Sequence, residues 1–491
     1  MRQTRDSMIR MDSSLRGWRR TCVVAGAAIL AGCMAGPDYV RPAAPSSSAF
    51  KEAPGWKLAI PSDNAPKGPW WEAFADPDLD RLASEVNVSN QSVQAAAARV
   101  REAQAATAAA RTGLFPAIDL NAAALRSSRA GSSTAQGGPT TAGISNSYNI
   151  ALNLSWEIDL WGRIRRGVEA SEASGQASAA DLAAAQLSMQ ALLAQDYLTL
   201  RVVDAEIELL HDTVGGYERS LTLTRNQYAA GIVGRGDVAQ AEAQLAATQA
   251  QEQDATIQRA QLEHAIAVLV GKPPSELAIA PKPLVAVFPQ TPVAVPSELL
   301  ERRPDIAAAE RRTASANAGI GVAQAAFYPA LSLGAIGGVQ SSAIGNLLSL
   351  PARYWSIGPS IAQAIFDAGL RQAQKEQAIA TYDETVANYR NTVLTGFQEV
   401  EDNLAALSIL EREAVLQDAA VKAARESVTI ATNQYKAGTA TYLTVVVLQA
   451  AALNNERTAL AILARRLSAS VGLIKALGGG WDASTLTAAT P

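Results

Sequence analysis

The side chains that most often do chemistry in proteins are scarce in this chain. Among 491 residues there are two cysteines and two histidines, and both histidines, His211 and His264, lie within helical patterns. We find no spacing typical of metal ligands, no nucleophile paired with a base, and no phosphate-binding glycine loop. The net charge is −4 with acidic and basic residues interspersed, which does not indicate a nucleic-acid partner. We therefore predict that the protein is not an enzyme and uses no metal or cofactor.

One cysteine has a defined chemistry because of the residues in front of it. A basic stretch and a short apolar run, residues 23–31, precede the tetrad Leu30-Ala31-Gly32-Cys33. The run is too short to span a membrane as a mature helix. The pattern resembles a bacterial lipoprotein signal over residues 1–32, in which Cys33 becomes the first mature residue and is acylated. The alternative is an ordinary signal peptide that contains a cysteine. By the same resemblance, Met34 favours the outer over the inner membrane.

The chain contains a long internal repeat. Asn226-Gln227-Tyr228-Ala229-Ala230-Gly231 returns as Asn433-Gln434-Tyr435-Lys436-Ala437-Gly438, at an offset of 435 − 228 = 207 residues. Phe115-Pro116-Ala117-Ile118 returns as Tyr328-Pro329-Ala330-Leu331, at an offset of 329 − 116 = 213. A duplication of this length is a property of the fold. We predict an acylated connector over 33–78, a first repeat over 79–270, a Pro-rich linker over 271–300, a second repeat over 301–477 and a tail over 478–491.

Each repeat contains two candidate strands. The clearest is 148–160, where seven apolar residues alternate with polar or small ones. The others are 117–126, 330–340 and 354–366, and long loops join the members of each pair. Past the signal there is no apolar run of eighteen residues, so any membrane-spanning element must be a strand. Alternation would also suit a strand on a soluble sheet.

Four strands are too few to close a membrane barrel, because the smallest known barrels have about eight. An open edge in lipid is forbidden. The chain therefore has to share a barrel with copies of itself. Two copies would give eight strands and three would give twelve, and the residues alone do not choose between these numbers.

The rest of the chain has the pattern of long coiled helices. Apolar residues recur every seven positions, and sustained heptads indicate coiled-coil packing. The series are Leu193, Leu200, Ile207, Val214, Leu221 and Tyr228 in the first repeat, and Val400, Leu407, Ala414, Val421, Val428 and Tyr435 in the second. A helix over residues 162–228 would be roughly 100 Å long. A plain structural rod would show the same periodicity.

Each long helix ends in a glycine turn that leads into the next helix. We expect these two duplicated turns to be exposed and to be where a partner docks. The residues proposed for this contact are Tyr228, Gly231, Gly234, Arg235, Tyr435, Gly438, Thr439, Thr441 and Tyr442.

The ordered set of motifs resembles the outer membrane factors of bacterial tripartite export systems, specifically the lipoprotein branch of TolC-like efflux proteins. The match covers about residues 33–477. Its motifs are Gly36-Pro37-Asp38-Tyr39-Val40-Arg41-Pro42, Trp70-Trp71-Glu72-Ala73-Phe74, Trp156-Glu157-Ile158-Asp159-Leu160-Trp161-Gly162-Arg163, Glu301-Arg302-Arg303-Pro304-Asp305-Ile306, Phe366-Asp367-Ala368-Gly369 and both Gln-Tyr-x-x-Gly turns.

The resemblance implies a mixed fold, in which long helices form a periplasmic α-barrel and four strands per chain contribute to a trimeric, twelve-stranded outer-membrane barrel. It also implies a homotrimer that meets a periplasmic adaptor (membrane fusion protein) and, through it, a proton-driven inner-membrane pump of the RND type. The protein would be the passive exit duct for drugs or other small toxic compounds.

The chain departs from the family pattern at one place. Some family members carry acidic rings at the start of the last helix, but the matching positions here are Thr444 and Val447. Asp237, at 444 − 207, is the only acid at the equivalent place in the first repeat. We therefore expect a periplasmic gate of hydrophobic and hydroxyl character with one charge per chain.

Two other functions remain open from the sequence. The same scaffold serves as a duct for secreted polypeptides in type I secretion. A protein of a different class, a periplasmic lipoprotein rod without a pore, would have similar helices.

Overall fold

The computed structural model describes residues 34–45, 49–52, 69–129, 143–289 and 302–481. They form two compact units. The first contains the described residues up to Pro42, Arg101–Gln176 and Glu310–Ala387, and the second contains the remaining described segments. Each unit therefore takes residues from both sequence repeats. Cys33 and the signal lie outside the described residues, as do residues 290–300 of the linker.

The described residues form seven α-helices. They are α1 Pro77–Ser89, α2 Gln91–Thr112, α3 Arg163–Ala229, α4 Arg235–Leu269, α5 Pro304–Ala325, α6 Leu370–Lys436 and α7 Tyr442–Ala476. Short 3₁₀ turns lie at Trp70–Phe74, Pro274–Glu276, Ile344–Asn346 and Leu350–Ala352. Among the described residues, no helix has both the length and the apolar character that crossing a membrane would need.

The helices reproduce the sequence repeat. Both α3 and α6 have 67 residues, and both α4 and α7 have 35. Their first residues are separated by the same interval, 370 − 163 = 207 and 442 − 235 = 207. The duplication that the motifs predict is therefore a duplication of whole helical hairpins.

The core of the second unit lies along the predicted heptad positions. Leu193 and Leu200 of α3 are fully buried, in one cluster with Ile266 of α4 and Val471 of α7. Helix α1 adds Leu79, Leu82, Ala83 and Val86, a spacing that places all four on one helical face. Burial of these apolar stripes holds the helices side by side.

The strands form one antiparallel sheet in the first unit, in the order β1-β2-β3-β4. Their bounds are β1 Ala117–Arg129, β2 Gly143–Ile158, β3 Ala330–Ser341 and β4 Arg353–Ala362. Prolines 116 and 329 stand directly before β1 and β3, where the missing N–H does not interrupt the ladder.

Three of the four predicted strands have limits that differ by more than one residue from the observed ones. The first hairpin is longer than expected, because the ladder continues to the pair Arg129 and Gly143 through residues that we had assigned to a loop. Small hydroxyl residues pair there across the strands, with Ser127 Oγ lying 2.9 Å from Ser145 Oγ. Serine is compatible with a strand when its neighbour offers a partner.

The last strand is shorter than expected and ends at Ala362, not at residue 366. Ala362 pairs with Ala330, and the next partner would be Pro329, which has no N–H to donate. The side chain of Gln363 donates instead to the carbonyl of Phe327 at 3.1 Å. The second strand likewise stops at Ile158, and the chain turns there through a bond from Leu160 N to Ile158 O.

Candidate functional site

The sheet has one apolar face. The register places Leu120 opposite Leu152, and Leu331 between Ile158 and Ile361. The large apolar residues on this face are Ile118, Leu120, Ile150, Leu152, Leu154, Trp156, Leu331, Leu333, Trp355, Ile357 and Ile361. Several are largely exposed, among them Leu120 at 70% and Trp355 at 79%. An exposed apolar surface of this breadth indicates contact with a membrane or with another protein.

Most residues of the opposite face are polar or small, and Leu125, Ile336 and Tyr354 are its large members. It carries Asp119, Asn121, Asn149, Asn153, Ser155, Ser332, Ser356 and Ser360. Tyr354 Oη donates to Asn149 Oδ1 at 2.9 Å. Gly338 lies between their strands, and a Cβ there would stand 2.4 Å from the carbonyl oxygen of Ile150. This sheet has the two faces of a strand assembly with lipid on one side and water on the other.

The sheet is open at both edges in the described chain. Strands β1 and β4 are the outer strands, so each has one side whose backbone groups pair with no other described strand. Unsatisfied backbone groups are costly in lipid, and an edge strand is a template for pairing with another chain.

The two duplicated turns close in the same way. Gly231 N donates to Tyr228 O at 2.9 Å and Ile232 N donates to Gln227 O at 2.9 Å. In the second repeat, Gly438 N donates to Tyr435 O at 3.0 Å and Thr439 N donates to Gln434 O at 2.9 Å. Both glycines have positive φ, 72° and 75°. This pattern is the Schellman motif, which needs a left-handed residue after the helix.

The two equivalent tyrosines have different surroundings. Tyr435 is buried, and its hydroxyl donates to Gln227 Oε1 at 2.5 Å. Its ring lies 5.3 Å from that of Tyr442, which is also buried. Tyr228 remains 46% exposed in the isolated chain. Tyr435 and Tyr442 therefore build the inside of the turn region, whereas Tyr228 and the turn residues Gly231, Gly234, Arg235, Gly438, Thr439 and Thr441 present surface.

Burial also changes the acidity of Tyr442. Removal from water raises the pKa of Tyr442 to about 12, and the neighbouring Tyr435, Tyr217 and Asp237 add to the shift. A negative charge on this phenol would be unfavourable for two reasons: the group is removed from water, and it lies near the carboxylate of Asp237. The phenol is therefore held in its neutral form.

The predicted gate residues occupy equivalent helix starts. Asp237 is the third residue of α4 and Thr444 the third residue of α7. Asp237 is half-buried, whereas Thr444 and Val447 are exposed in the single chain. Thr444 Oγ1 lies 3.1 Å from Thr441 Oγ1. Near the first turn, Arg225 and Arg235 both contact Glu242, and the hydrogen bond from Arg225 lowers the pKa of that carboxyl.

Sequence reasoning missed several residues that hold the site together. Gln227, the partner of Tyr435, and Arg166, a buried arginine early in α3, were not singled out. The different burial of Tyr228 and Tyr435 is not visible in the repeat, because both copies have the same Gln-Tyr pair.

Within the described residues, no group of three or more His, Cys, Asp or Glu side chains could hold a metal ion.

Long paired helices together with a two-faced sheet of four strands define an outer-membrane channel protein. The chain belongs to the outer membrane efflux protein family, whose model matches residues 82–272 and 295–479. The predicted fold class, long coiled helices combined with membrane β-strands, is confirmed, and so is the family that the motifs indicated. The protein is thus an outer-membrane component of an efflux system.

Relatives and solved structures agree over most of the chain. The pyoverdine export outer membrane protein OpmQ of Pseudomonas aeruginosa is 31% identical over 445 residues, which is 89% of this chain and 93% of that protein. The antibiotic efflux pump outer membrane protein ArpC of Pseudomonas putida is 32% identical over 463 residues, with coverages of 93% and 94%. The outer-membrane channel OprN has a TM-score of 0.85 and 31% identity, and the match covers 91% of this chain and 100% of that one.

Proposed function

We propose that three copies of this chain form the passive exit duct of a tripartite efflux pump. Drugs or other small toxic compounds would pass from an inner-membrane RND-type pump, through a periplasmic adaptor, to the outside. The observation that carries the proposal is the four-stranded sheet with one apolar face, one polar face and two open edges.

The open edges support the homotrimer. If β4 of one copy pairs with β1 of the next, every backbone group in the bilayer acquires a partner and no edge remains. Three copies give twelve strands, with the apolar faces outward and the asparagines and serines around water. Barrels of this strand number lie in the range known for outer membranes.

The lipid anchor is a further part of the proposal. Cys33 would be cleaved to the first position and acylated, which adds about 0.8 kcal/mol of membrane affinity per buried CH₂. The support is the tetrad that ends in Cys33, which follows a basic stretch and a short apolar run.

The two turns are the proposed contact with the adaptor. Gly438 and Gly231 lie in exposed turns that are closed by their own backbone hydrogen bonds, so that a partner can approach without rearranging them. Asp237, Thr444 and Val447 stand at the adjoining helix starts, and we propose that they line the periplasmic gate.

Small compounds are favoured over polypeptides as cargo. OpmQ and ArpC are named for the export of pyoverdine and the efflux of antibiotics, both small molecules. The pump upstream is expected to select the cargo, because most polar side chains on this sheet face are the short ones of Asn, Asp and Ser.

A photo-crosslinking residue at Thr439 in living cells tests the proposal. The expected product is an adduct with a periplasmic adaptor of a proton-driven pump, identified by mass spectrometry. The same residue at Val285, exposed but far from the turns in sequence, serves as the matched control and should not give that adduct. Capture of an adaptor from an ATP-driven secretion system would overturn the cargo assignment. Capture of no periplasmic partner at Thr439 would contradict the tripartite assembly.

A further inference from the structure

Two charged side chains lie on the apolar face of the described strands, and both are arginines. Arg126 lies on β1 and Arg353 on β4, each toward the end of its strand that is remote from the helices. The acidic residues of the same strands, Asp119 and Glu157, lie on the opposite face. Positive charge is therefore placed on the apolar face, and at one end only.

Both arginines lack an anionic partner within the chain. They are exposed, and among the described residues no ion pair involves either guanidinium. At the other end of the sheet, by contrast, Arg163 is held by Glu157. A guanidinium beside an apolar surface gains most from an anion that it can bind. The anion for Arg126 and Arg353 would have to come from outside the chain.

The two arginines stand at equal distances along their strands. Arg126 lies 126 − 118 = 8 residues beyond Ile118, and Arg353 lies 361 − 353 = 8 residues before Ile361. Eight residues of strand extend about 26 Å, which is roughly 20 Å across a bilayer at a tilt of about 40°. The apolar band of a membrane barrel is about 25 Å tall. Both guanidinium groups thus lie near its far edge, where a charge costs little and lipid phosphates are within reach.

A notch in the apolar face lies beside Arg353. Its volume is about 460 Å³, and Leu152, Val339 and Trp355 are among the residues that line it. Gly337 is part of the lining and pairs with Leu152 on one side and Trp355 on the other. A Cβ on Gly337 would meet no heavy atom within 4 Å. A missing side chain between two large ones leaves a groove in which a hydrocarbon chain can lie.

Closure of the barrel would bring the two arginines together. β1 begins at Ala117 and β4 ends at Ala362, and both of these strand ends connect to helices. If they align when β4 of one copy pairs with β1 of the next, Arg353 lies directly opposite Arg126, because 362 − 353 = 9 and 126 − 117 = 9.

Other registers keep the arginines close. A shift by one residue would turn the apolar face of one copy against the polar face of the next, so it is excluded. A shift by two leaves the arginines as diagonal neighbours, about 7 to 8 Å apart. Like charges at such distances repel each other, and an anion bound between them would remove the repulsion.

We propose that each junction between copies binds one anionic lipid of the outer leaflet. Its phosphate would lie between Arg353 of one copy and Arg126 of the next, and an acyl chain would lie in the notch over Gly337. The inference rests on the proposed function, because the site is complete only when the copies assemble. A phosphate accepts hydrogen bonds from two guanidinium groups at once. A lipid is the source, because the ligand has to fill an apolar notch as well as bind the arginines.

Native mass spectrometry of the full-length trimer in a neutral detergent tests the site. The probes are dioleoyl phosphatidic acid and dioleoylglycerol, which has the same chains and no phosphate. We expect the trimer to retain phosphatidic acid better by about tenfold or more, because only this lipid accepts charge-assisted hydrogen bonds. Equal retention of the two lipids would overturn the proposal.

Arginine variants test whether two copies share the site. Arg353→Gln and Arg126→Gln should each lower the retention of phosphatidic acid by about tenfold. Arg101→Gln removes the same charge from an exposed position on α2 and should leave retention unchanged. Unchanged retention in Arg353→Gln would overturn the site. A loss in Arg353→Gln with normal retention in Arg126→Gln would overturn its position between copies.

Glycine variants test the notch. Gly337→Val should fill it and lower the retention of phosphatidic acid. Gly358→Val is the matched control, because Gly358 has equally open space but lies on the polar face. Normal retention in Gly337→Val, or displacement of the lipid from the wild type by inorganic phosphate, would show that a free anion is sufficient and would overturn the lipid as ligand.

Crosslinking separates this inference from the proposal beneath it. In a protein with both Arg126→Cys and Arg353→Cys, a short bis-thiol reagent should join the copies covalently. The two single variants control for the other cysteines and should not be joined. A trimer whose copies are not joined would refute the juxtaposition and leave the exit duct in place. Protein that never forms trimers would refute the proposed function, and the lipid site with it.

Discussion

Arg303 Nη1 donates a hydrogen bond to the carbonyl oxygen of Ala476 at 3.1 Å, and Asn90 Nδ2 makes the equivalent bond to Leu269 O at 2.8 Å. The donors are separated by 303 − 90 = 213 residues and the acceptors by 476 − 269 = 207, which are the offsets of the sequence repeat. Two different side chains therefore make the same contact in the two repeats. In each case, a residue next to the start of a helix satisfies a carbonyl at the end of a 35-residue helix.

The Asn90 contact should be important for stability. Asn90 is buried, and besides bonding Leu269 it caps α2 by accepting from Ser92 N and Val93 N. Asn90→Ala should cost about 2 to 3 kcal/mol, from the lost cap and the unsatisfied carbonyl. The neighbouring Gln91→Ala, at an exposed position, should change stability by less than about 0.5 kcal/mol. Denaturant unfolding in detergent would measure both, and equal midpoints would contradict the role given to Asn90.

Two glycines should tolerate no side chain. Gly271 has φ 73° and a Cβ there would stand 2.2 Å from Ser89 O, while Gly478 has φ 92° and a Cβ would stand 2.0 Å from Arg302 O. Gly271→Ala and Gly478→Ala should each lower the apparent melting temperature, because they combine backbone strain with a clash. Gly167→Ala, within α3 and with open space around it, should raise it slightly. A melting temperature for Gly271→Ala at or above that of Gly167→Ala would refute the argument.

The turn region should lose stability in strong alkali. The pKa of Tyr442 is raised from 10.0 in the unfolded chain to about 12, chiefly by burial. The contribution of this raised pKa to the free energy of unfolding is complete below pH 10. It is lost as the pH rises through 12, because the unfolded chain releases the proton first. The effect is at most about 2 to 3 kcal/mol.

Melting curves between pH 10 and 12 would measure this loss. Tyr442→Phe should flatten the decline, because no proton remains to be released at that site. Tyr228→Phe removes an exposed hydroxyl from the first turn and is the matched control. If the two variants decline in parallel with the wild type, Tyr442 is not the responsible group.

Asp237 should affect ion passage without affecting assembly. It is half-buried at the start of α4, next to the turn proposed to contact the adaptor. Asp237→Ala should form normal trimers but change single-channel conductance and cation block. Asp237→Asn keeps the shape of the side chain and should show the same change, because the charge is the cause. Identical conductance and block in all three proteins would exclude Asp237 from the gate.

Much of the fold follows from periodic patterns in the sequence. Leu193, Leu200 and Leu221 belong to the series of apolar residues spaced by seven, and all three are buried, as coiled helices require. The alternation over residues 148–160 predicted β2, because successive side chains of a strand point to opposite faces, one apolar and one polar. These features were predictable because many residues contribute to each one.

Contacts of single side chains were not predictable in this way. Arg201 donates to Ala280 O, and Arg166 to Ala35 O, across 79 and 131 positions of the chain. No local pattern marks such a pair, since an arginine in a helix usually extends to solvent. The unequal burial of Tyr228 and Tyr435 depends likewise on which neighbours each repeat meets after folding.

The central claim, that the polar face of the sheet lines a water-filled passage, can be tested at two adjacent residues. Ser360 lies on the polar face and Ile361 on the apolar face of β4. Ser360→Cys and Ile361→Cys proteins would be studied as single channels in planar bilayers before and after a charged, water-soluble thiol reagent. We predict a stepwise fall in conductance for Ser360→Cys and none for Ile361→Cys. A conductance that changes equally in both variants, or that falls only for Ile361→Cys, would contradict the exit duct.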